Sequence, residues 1–232
     1  MKTLSIIVPV YNEERTIEKI LDKVGRVKLK LDKEIIIVDD GSVDKSKDII
    51  EKYIAGKKKG MRFQFFSKEN GGKGSAVRKG IEMATGDIIT IQDADLEYDP
   101  NDYGKLIEPI LNRTEKVVYG SRFSGEFEPM YKLYYLGNKF LTLLTQVLYK
   151  TKITDMETCY KVFKSDVIKN IKIGSNGFDM EPEITSKILK KGIKIKEMPI
   201  SYSPRSIEDG KKIGWRDGLK AIWILLYYRI HD

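Results

Sequence analysis

The chain has 232 residues, of which 42 are Lys or Arg and 34 are Asp or Glu, so its formal net charge is +8. With 41% hydrophobic and 33% charged residues, the composition excludes an intrinsically disordered chain and a protein with several membrane spans, and indicates a soluble globular protein. The single cysteine, Cys159, and the single histidine, His231, exclude a disulfide framework, a multi-cysteine zinc site and any Ser-His-Asp or Cys-His catalytic arrangement, which leaves carboxylates, cations, hydroxyls and a metal ion.

Strand and helix patterns alternate through the first half of the chain. Apolar runs predict strands at residues 4–10, 34–38, 62–66 and 88–91, and helical spacing predicts helices at 13–24, 44–53, 73–84 and 102–111. This alternation predicts a doubly wound, mostly parallel sheet with right-handed crossovers. Ligands bind beyond the carboxyl ends of such strands, so we expect the site where the sequence places Asp39-Asp40, Gly71-Gly72, and Asp93 with Asp95.

The second half of the chain continues without a linker or a repeat. We expect a strand at residues 117–119, a helix at 131–149, a buried pair at Val162 and Phe163, a helix at 183–191 and a half-buried strand at 193–200. No Pro/Gly/Ser-rich stretch separates these parts, so the prediction is a single domain over residues 1–232.

The last segment, residues 218–230, is apolar and aromatic. A membrane-spanning helix needs about 20 apolar residues, so this segment is too short to span a bilayer. Two alternatives remain open: a helix packed on the sheet, or an interfacial helix with Trp223, Tyr227 and Tyr228 at the depth of the lipid headgroups. The first residues lack the apolar core of a secretory signal, and we expect a cytoplasmic protein.

Three acidic residues, Asp93, Asp95 and Glu97, recur at every second position after a predicted buried strand. Neighbouring carboxylates repel one another unless a cation lies between them, and their hard oxygens favour Mg²⁺ or Mn²⁺. The alternative is an acidic surface turn. Because the strand before them looks central, we favour a metal site.

The loop Asn70-Gly71-Gly72-Lys73-Gly74 resembles a phosphate-binding loop but matches neither the P-loop nor the dinucleotide-binding pattern. Lys73 and the backbone N–H groups at the start of a helix suit an anion. A plain turn is the alternative. The Asp39-Asp40-Gly41 turn suits ribose hydroxyls or a base N–H, but Asp-Gly turns are common.

Several segments, taken together and in this order, resemble the family 2 inverting glycosyltransferases. They are Ser5-Ile6-Ile7-Val8-Pro9-Val10-Tyr11-Asn12-Glu13, Val38-Asp39-Asp40-Gly41-Ser42, Asn70-Gly71-Gly72-Lys73-Gly74, Asp93-Ala94-Asp95-Leu96 and Gly120-Ser121-Arg122. The second half, through residues 155–161 and 202–205, resembles the branch with dolichyl-phosphate mannose synthase and polyprenyl-phosphate glucosyltransferases. The resemblance implies a GT-A-type, Rossmann-like sheet with helices on both faces, a nucleotide-sugar-binding half at 1–122 and an acceptor-binding part at 123–232.

The resemblance also implies roles for individual residues. It implies that the nucleotide is bound by Pro9, Tyr11, Glu13, Asp39, Asp40, Lys73 and Asp93. It implies that a divalent metal, Mg²⁺ or Mn²⁺, is bound by Asp93, Asp95 and Glu97. The residues implied to bind the acceptor phosphate are Arg122, Lys161, Arg205 and Lys211. Asp155 would be the base for a hydroxyl acceptor or an orienting residue for a phosphate acceptor, and is predicted with Arg122 and Arg205 as the catalytic set.

The implied reaction moves one hexose from GDP-mannose or UDP-glucose to a polyprenyl phosphate at the inner face of the cell membrane, with peripheral membrane contact through residues 218–230. Lys211-Lys212-Ile213-Gly214-Trp215 lacks the Gln-x-x-Arg-Trp motif of processive synthases, which favours single transfer. Two alternatives stay open: a glycan hydroxyl as acceptor, and an inactive sugar-nucleotide-binding partner. We expect the positive charge to serve phosphates and lipid headgroups, with no nucleic-acid partner.

Overall fold

A computed structural model describes residues 2–56, 61–125, 131–205 and 214–231. Its strands are β1 Thr3–Val10, β2 Asp32–Asp39, β3 Arg62–Ser67, β4 Ile88–Ile91, β5 Val117–Ser121, β6 Lys161–Lys164 and β7 Lys196–Pro199. Its helices are α1 Ile17–Arg26, α2 Ser46–Gly56, α3 Lys73–Met83, α4 Tyr103–Leu111, α5 Lys132–Tyr149, α6 Ser165–Lys169, α7 Met180–Lys190 and α8 Trp215–Ile230, with a short 3₁₀ helix at Pro100–Asp102.

The seven strands form one sheet in the order β3-β2-β1-β4-β6-β5-β7. Neighbouring strands are parallel except at β6, which runs antiparallel to both β4 and β5. The sheet is therefore mostly parallel, as expected. Because β6 is reversed, it begins at the edge where the parallel strands end, and the residues before it lie beside those carboxyl ends.

Alternate residues of β1 belong to different cores, as the two-residue period of a strand requires. Leu4 and Ile6 pack with α1, α2 and α4 on one face, and Ile7 packs with α3, α6 and α7 on the other. Gly80 lets α3 approach the sheet closely, since a Cβ there would lie 2.3 Å from Ile7 Cγ2. The expected helices on both faces of the sheet are confirmed.

The C-terminal helix α8 packs on other helices and not on the sheet. Ala221 and Leu225 are buried against Leu141 and Met156 in a small third core that joins α8 to α5, and α8 also contacts α7. One of the two alternatives for this segment, a helix packed on the sheet, is therefore corrected to a helix packed on α5 and α7. Among the described residues, none of the helices is both long and apolar enough to cross a membrane.

Candidate active site

A cavity of about 1000 Å³ opens at the carboxyl ends of the parallel strands. Its walls come from the loops after β1, β2, β4 and β5, from the segment before β6, and from α5 and α8. The predicted site residues that line it are Pro9, Tyr11, Glu13, Asp40, Lys73, Asp93, Asp95, Glu97, Arg122 and Arg205. The location predicted from the strand ends is thus where the structure brings these side chains together.

Asp40 fixes the glycine loop at one end of the cavity. Its carboxylate accepts hydrogen bonds from the backbone N–H groups of Gly71 (3.1 Å) and Gly72 (2.7 Å) and from Lys68 Nζ (2.5 Å). Gly41 has a φ of 74°, and a Cβ there would lie 2.7 Å from the backbone nitrogen of Asn70. The turn therefore requires glycine, and it places the first residue of α3 at the cavity.

Asp39 does not line the cavity, contrary to its predicted nucleotide-binding role. Its side chain accepts hydrogen bonds from Ser67 Oγ (2.9 Å) and from the backbone N–H of Ser42 (3.2 Å), and the residue is buried. Oδ2 joins the end of β2 to the end of β3, and Oδ1 holds the turn that follows β2. Asp39 supports the turn, and its neighbour Asp40 faces the cavity.

Lys73 and Asp93 form an ion pair in the cavity wall. Lys73 Nζ lies 2.6 Å from Asp93 Oδ1 and 2.8 Å from Oδ2, and 3.2 Å from Cys159 Sγ. Burial alone would lower the pKa of Lys73, but the Asp93 carboxylate outweighs it and holds that pKa above its ordinary value. Burial likewise works against the charge of Asp93, and Lys73 reverses this and lowers the Asp93 pKa. Both groups are charged at neutral pH.

Arg205 connects two carboxylates across the cavity. Its Nη2 lies 3.1 Å from Asp95 Oδ2 and 3.1 Å from Glu13 Oε1. Glu97 is used differently: its Oε1 accepts a hydrogen bond from the backbone N–H of Arg205 and its Oε2 one from Tyr202 Oη, each at 2.9 Å. Both oxygens of Glu97 thus hold the segment that carries Arg205.

The predicted metal ligands fit a divalent cation only in part. In the portion of the chain that the structure describes, there is no group of three acidic, histidine or cysteine side chains arranged to hold a metal ion. Mg²⁺ is commonly held by one or two carboxylates together with substrate phosphates and water. Asp93 and Asp95 both face the cavity, where they are paired with Lys73 and Arg205. Glu97 does not fit the predicted role, since its oxygens bind the segment of residues 202–205.

Arg122 is held by Asp155 through one edge of its guanidinium and through its backbone N–H. Asp155 Oδ2 accepts from the backbone N–H (2.9 Å) and Nε (2.8 Å) of Arg122, and Oδ1 accepts from Nη2 (2.7 Å). Burial opposes the positive charge, but the Asp155 carboxylate keeps the Arg122 pKa above its usual value. Asp155 is fully buried behind Arg122, so the geometry fits an orienting residue and contradicts a base that meets an acceptor hydroxyl.

Lys161 is placed wrongly in the acceptor-phosphate set. Its side chain is fully buried, and Nζ donates to Glu181 Oε2 (2.5 Å), to the Met156 carbonyl (3.0 Å) and to the Thr158 carbonyl. With its three donors committed to the interior, the ammonium has none left for an acceptor in the cavity. Lys211, the other lysine of that set, lies outside the described residues.

Glu157 and Phe178 are among the cavity residues to which the sequence assigned no role. Glu157 lies in a segment where Met156, Thr158 and Tyr160 are fully buried. Glu157 and Cys159 are only partly buried and line the cavity. The missing information was the direction of β6, which brings this segment to the cavity edge.

Comparison with solved structures places this architecture among known folds. Glucosyl-3-phosphoglycerate synthase of Mycobacterium tuberculosis, crystallised with Mn²⁺, UDP and phosphoglyceric acid, superposes with a TM-score of 0.74 at 19% sequence identity, over 100% of this chain and 80% of that protein. At this identity the likeness shows the fold alone. The expected GT-A-type fold is confirmed.

Two relatives resemble the chain over most of its length. A dolichol-phosphate mannosyltransferase of Pyrococcus furiosus is 29% identical over 221 residues, which are 91% of this chain and 59% of the relative. A dolichyl-phosphate beta-glucosyltransferase of Trichomonas vaginalis is 30% identical over 247 residues, which are 98% of this chain and 74% of the relative. The relatives extend further than this chain, which spans between 52% and 74% of the length of three of them.

The family model described as "Glycosyl transferase family 2" matches residues 5–172. This range begins within β1, extends beyond β6 and includes the cavity residues from Pro9 to Cys159. The match covers well over half of the chain, and it agrees with the order of acidic and glycine motifs along the strand ends. The chain therefore belongs to glycosyl transferase family 2.

Proposed function

We propose that the chain transfers one hexose from a nucleotide sugar to a polyprenyl phosphate, with inversion at the anomeric carbon. The observation that carries the proposal is the composition of the cavity, which is charged at one end and apolar at the other. Lys73, Arg122 and Arg205 lie at the charged end, and the apolar end is formed by residues of α5 and α8, among them Leu133, Phe140, Trp215, Leu219 and Ile222. A polyprenyl phosphate would place its phosphate at the charged end and its apolar chain at the apolar end.

The nucleotide sugar fits the part of the cavity next to β1 and β2. Pro9, Tyr11 and Asp40 line this part, where an aromatic ring and a carboxylate suit a base and ribose hydroxyls. Lys73 is the cation nearest to the Asp93 carboxylate and suits the diphosphate. GDP-mannose and UDP-glucose are the two donors we propose, in keeping with the mannosyl- and glucosyltransferase names of the relatives.

The charges of the cavity residues and of the two substrates account for the proposed hexosyl transfer. A Mg²⁺ or Mn²⁺ ion held by Asp93 and Asp95 would offset the negative charge of the departing nucleoside diphosphate. Lys73 supplies a fixed positive charge at the same place. A phosphate monoester has a second pKa of about 6 and is largely dianionic at pH 7, so its oxygen attacks without a protein base.

The buried position of Asp155 favours a phosphate acceptor over a glycan hydroxyl. A hydroxyl nucleophile would need a carboxylate within hydrogen-bond reach of its proton. Asp155, the carboxylate predicted for that role, instead accepts hydrogen bonds from Arg122 with both of its oxygens. A phosphate needs cations instead, and a guanidinium fixed by a bidentate contact loses little freedom when it binds one. Arg122 and Arg205 are the cations we assign to it.

Two exposed apolar stripes support contact with a lipid surface at the membrane face. Each stripe recurs at helical spacing on one of the two helices that form the apolar end of the cavity. The residues are Leu133, Leu136, Phe140, Leu143 and Val147 on α5, and Trp215, Leu219, Trp223, Leu226 and Ile230 on α8. Isolated exposed apolar residues are ordinary, but a continuous set of this size marks an interaction surface, and a polyprenyl acceptor would enter from it.

The lipid contact is tested by sedimentation with vesicles. The chain should sediment with vesicles that contain 30% phosphatidylglycerol, and Trp223→Asp should weaken this binding several-fold, because a charge at the interface opposes burial of the stripe. Val43→Asp is the matched control, since Val43 is also an exposed apolar residue but lies after β2. Equal binding by both variants would contradict a lipid contact through α8.

The reaction is tested with radiolabelled GDP-mannose and UDP-glucose, each offered with dolichyl phosphate and Mn²⁺. Label should enter the organic phase with one donor, and Asp95→Ala should reduce the rate by at least 100-fold, about the size of effect expected for a group that stabilises transition-state charge. Asp48→Ala, on the exposed face of α2, is the control. Label that appears only on an added glycan would favour a hydroxyl acceptor, and nucleotide binding without any turnover would favour an inactive binding partner.

A further inference from the structure

Glu157 is a carboxyl group of the cavity wall that the proposed reaction leaves without a role. It lines the cavity and is only partly exposed. Its Oε1 is buried and receives no hydrogen bond from any residue that the structure describes. A buried polar atom without a partner costs about 1–3 kcal/mol, so such an atom beside a cavity indicates a ligand group that completes it.

The neighbours of Glu157 in the chain connect it to the two charged parts of the site. Two residues before it, Asp155 holds Arg122, and two residues after it, Cys159 contacts Lys73. Along the chain, Glu157 therefore lies between a residue that holds the cation assigned to the acceptor phosphate and a residue that contacts the cation assigned to the diphosphate, and it lines the same cavity as both cations. The group that is transferred must pass between those two phosphates.

The charge of a carboxylate limits what it can bind there. The ionised form of Glu157 repels the phosphates of the donor and the acceptor, and the part of the cavity proposed for the base and ribose is lined by Tyr11 and Asp40. The neutral groups that remain are the hydroxyls of the hexose, which donate to a carboxylate in the usual way.

On the basis of the proposed function, we propose that Glu157 binds hydroxyls of the transferred hexose and so contributes to the choice of sugar. A site built to hydrogen-bond a hydroxyl discriminates strongly against a sugar that lacks it or presents it differently, because the protein group is then left unpaired. Glu157 is thus a specificity residue for the sugar and has no part in holding the nucleotide.

The electrostatic setting of Glu157 suits this role. Burial raises its pKa to about 7, with the Lys161 ammonium working in the opposite direction and the Glu181 carboxylate adding to the rise. At neutral pH the group is therefore present in both forms, and it can accept a hydrogen bond from one sugar hydroxyl or donate one to another.

The test compares sugar nucleotides with the same nucleotides lacking the sugar. Isothermal titration with UDP, UDP-glucose, GDP and GDP-mannose first identifies the nucleotide sugar that the unaltered chain prefers. For Glu157→Ala, the affinity for that nucleotide sugar should fall about tenfold or more while the affinity for the bare diphosphate stays within twofold, as loss of a hydrogen bond to a charged group implies. Glu157→Gln keeps the shape of the side chain, so its affinity for the nucleotide sugar should fall less than that of Glu157→Ala. The ratio between its affinities for the donor sugar and for the epimer of that sugar should be smaller than in the unaltered chain.

Glu51→Gln is the matched control, because Glu51 is exposed on α2, away from the cavity. Equal weakening of diphosphate and nucleotide sugar in both Glu157 variants would overturn the inference in favour of a merely structural role, and so would unchanged binding of both. In either case the unaltered chain would still bind its donor, and the proposed function would stand. If the unaltered chain bound none of the four nucleotides, the proposed function would fail and this inference with it.

Discussion

Replacing Lys161 by methionine removes an ammonium group that is wholly buried and bonded to three partners. Its partners are the Glu181 carboxylate and the carbonyls of Met156 and Thr158. Methionine fills a similar volume but offers no donor, so Glu181 keeps a negative charge in the interior with one oxygen, Oε1, already unpartnered. Breaking a buried pair from one side costs about 3–5 kcal/mol.

The expected destabilisation of Lys161→Met is therefore about 3–5 kcal/mol at pH 7. The double variant Lys161→Met with Glu181→Leu should recover most of the loss, since replacing both partners removes the unpaired charge.

The assay is urea-induced unfolding followed by circular dichroism at pH 7. Lys164→Met is the matched control, because Lys164 ends the same strand, β6, but pairs with Asp166 on the surface. An exposed pair contributes only about 0–1 kcal/mol. The reasoning is refuted if Lys161→Met is no less stable than Lys164→Met while its KM for dolichyl phosphate rises, because that result would return Lys161 to the acceptor site.

Two further outcomes are expected. Gly80→Ala should destabilise the chain by about 1–3 kcal/mol in the same urea assay, because its Cβ would lie 2.3 Å from Ile7 Cγ2. The control is Gly104→Ala in α4, where no atom lies within 4 Å of a new Cβ, and it should be neutral or stabilising by about 0.4–1 kcal/mol. Equal effects of the two substitutions would contradict the close packing of α3. The Glu157 carboxyl has its pKa raised to about 7 in the folded state from 4.5, so the folded chain loses stability as the pH rises from about 4.5 to 7, by up to about 3 kcal/mol. Glu157→Gln removes that loss, and its gain over the unaltered chain should be about 2 kcal/mol larger at pH 8 than at pH 5; a gain independent of pH would show that the carboxyl is not held in this way.

The sequence by itself determined the plan of the sheet and the edge at which the cavity opens. Alternating strand and helix patterns require a parallel sheet, and the carboxyl ends of parallel strands meet at one edge. That rule brings Asp40, Lys73, Asp93 and Asp95 together although they follow three different strands. The helical spacing at 131–149 likewise identified α5 to within one residue.

Only the tertiary structure decided which charged side chains face the cavity and which serve the interior. Arg122 and Lys161 both lie in segments that resemble acceptor-binding motifs, yet one lines the cavity and the other is sealed against α7. The two-residue period of a strand tells which side chains share a face, but not which face is outward.

The direction of β6 is the clearest example of what the sequence left open. Four residues with a buried centre fit a strand of either direction, and the antiparallel pairing with β4 and β5 depends on partners more than 40 residues away. That direction places Glu157 and Cys159 at the ligand edge and sends Lys161 toward Glu181. The charge state and contacts of a buried group are set by neighbours that distant segments supply, and the local sequence does not contain them.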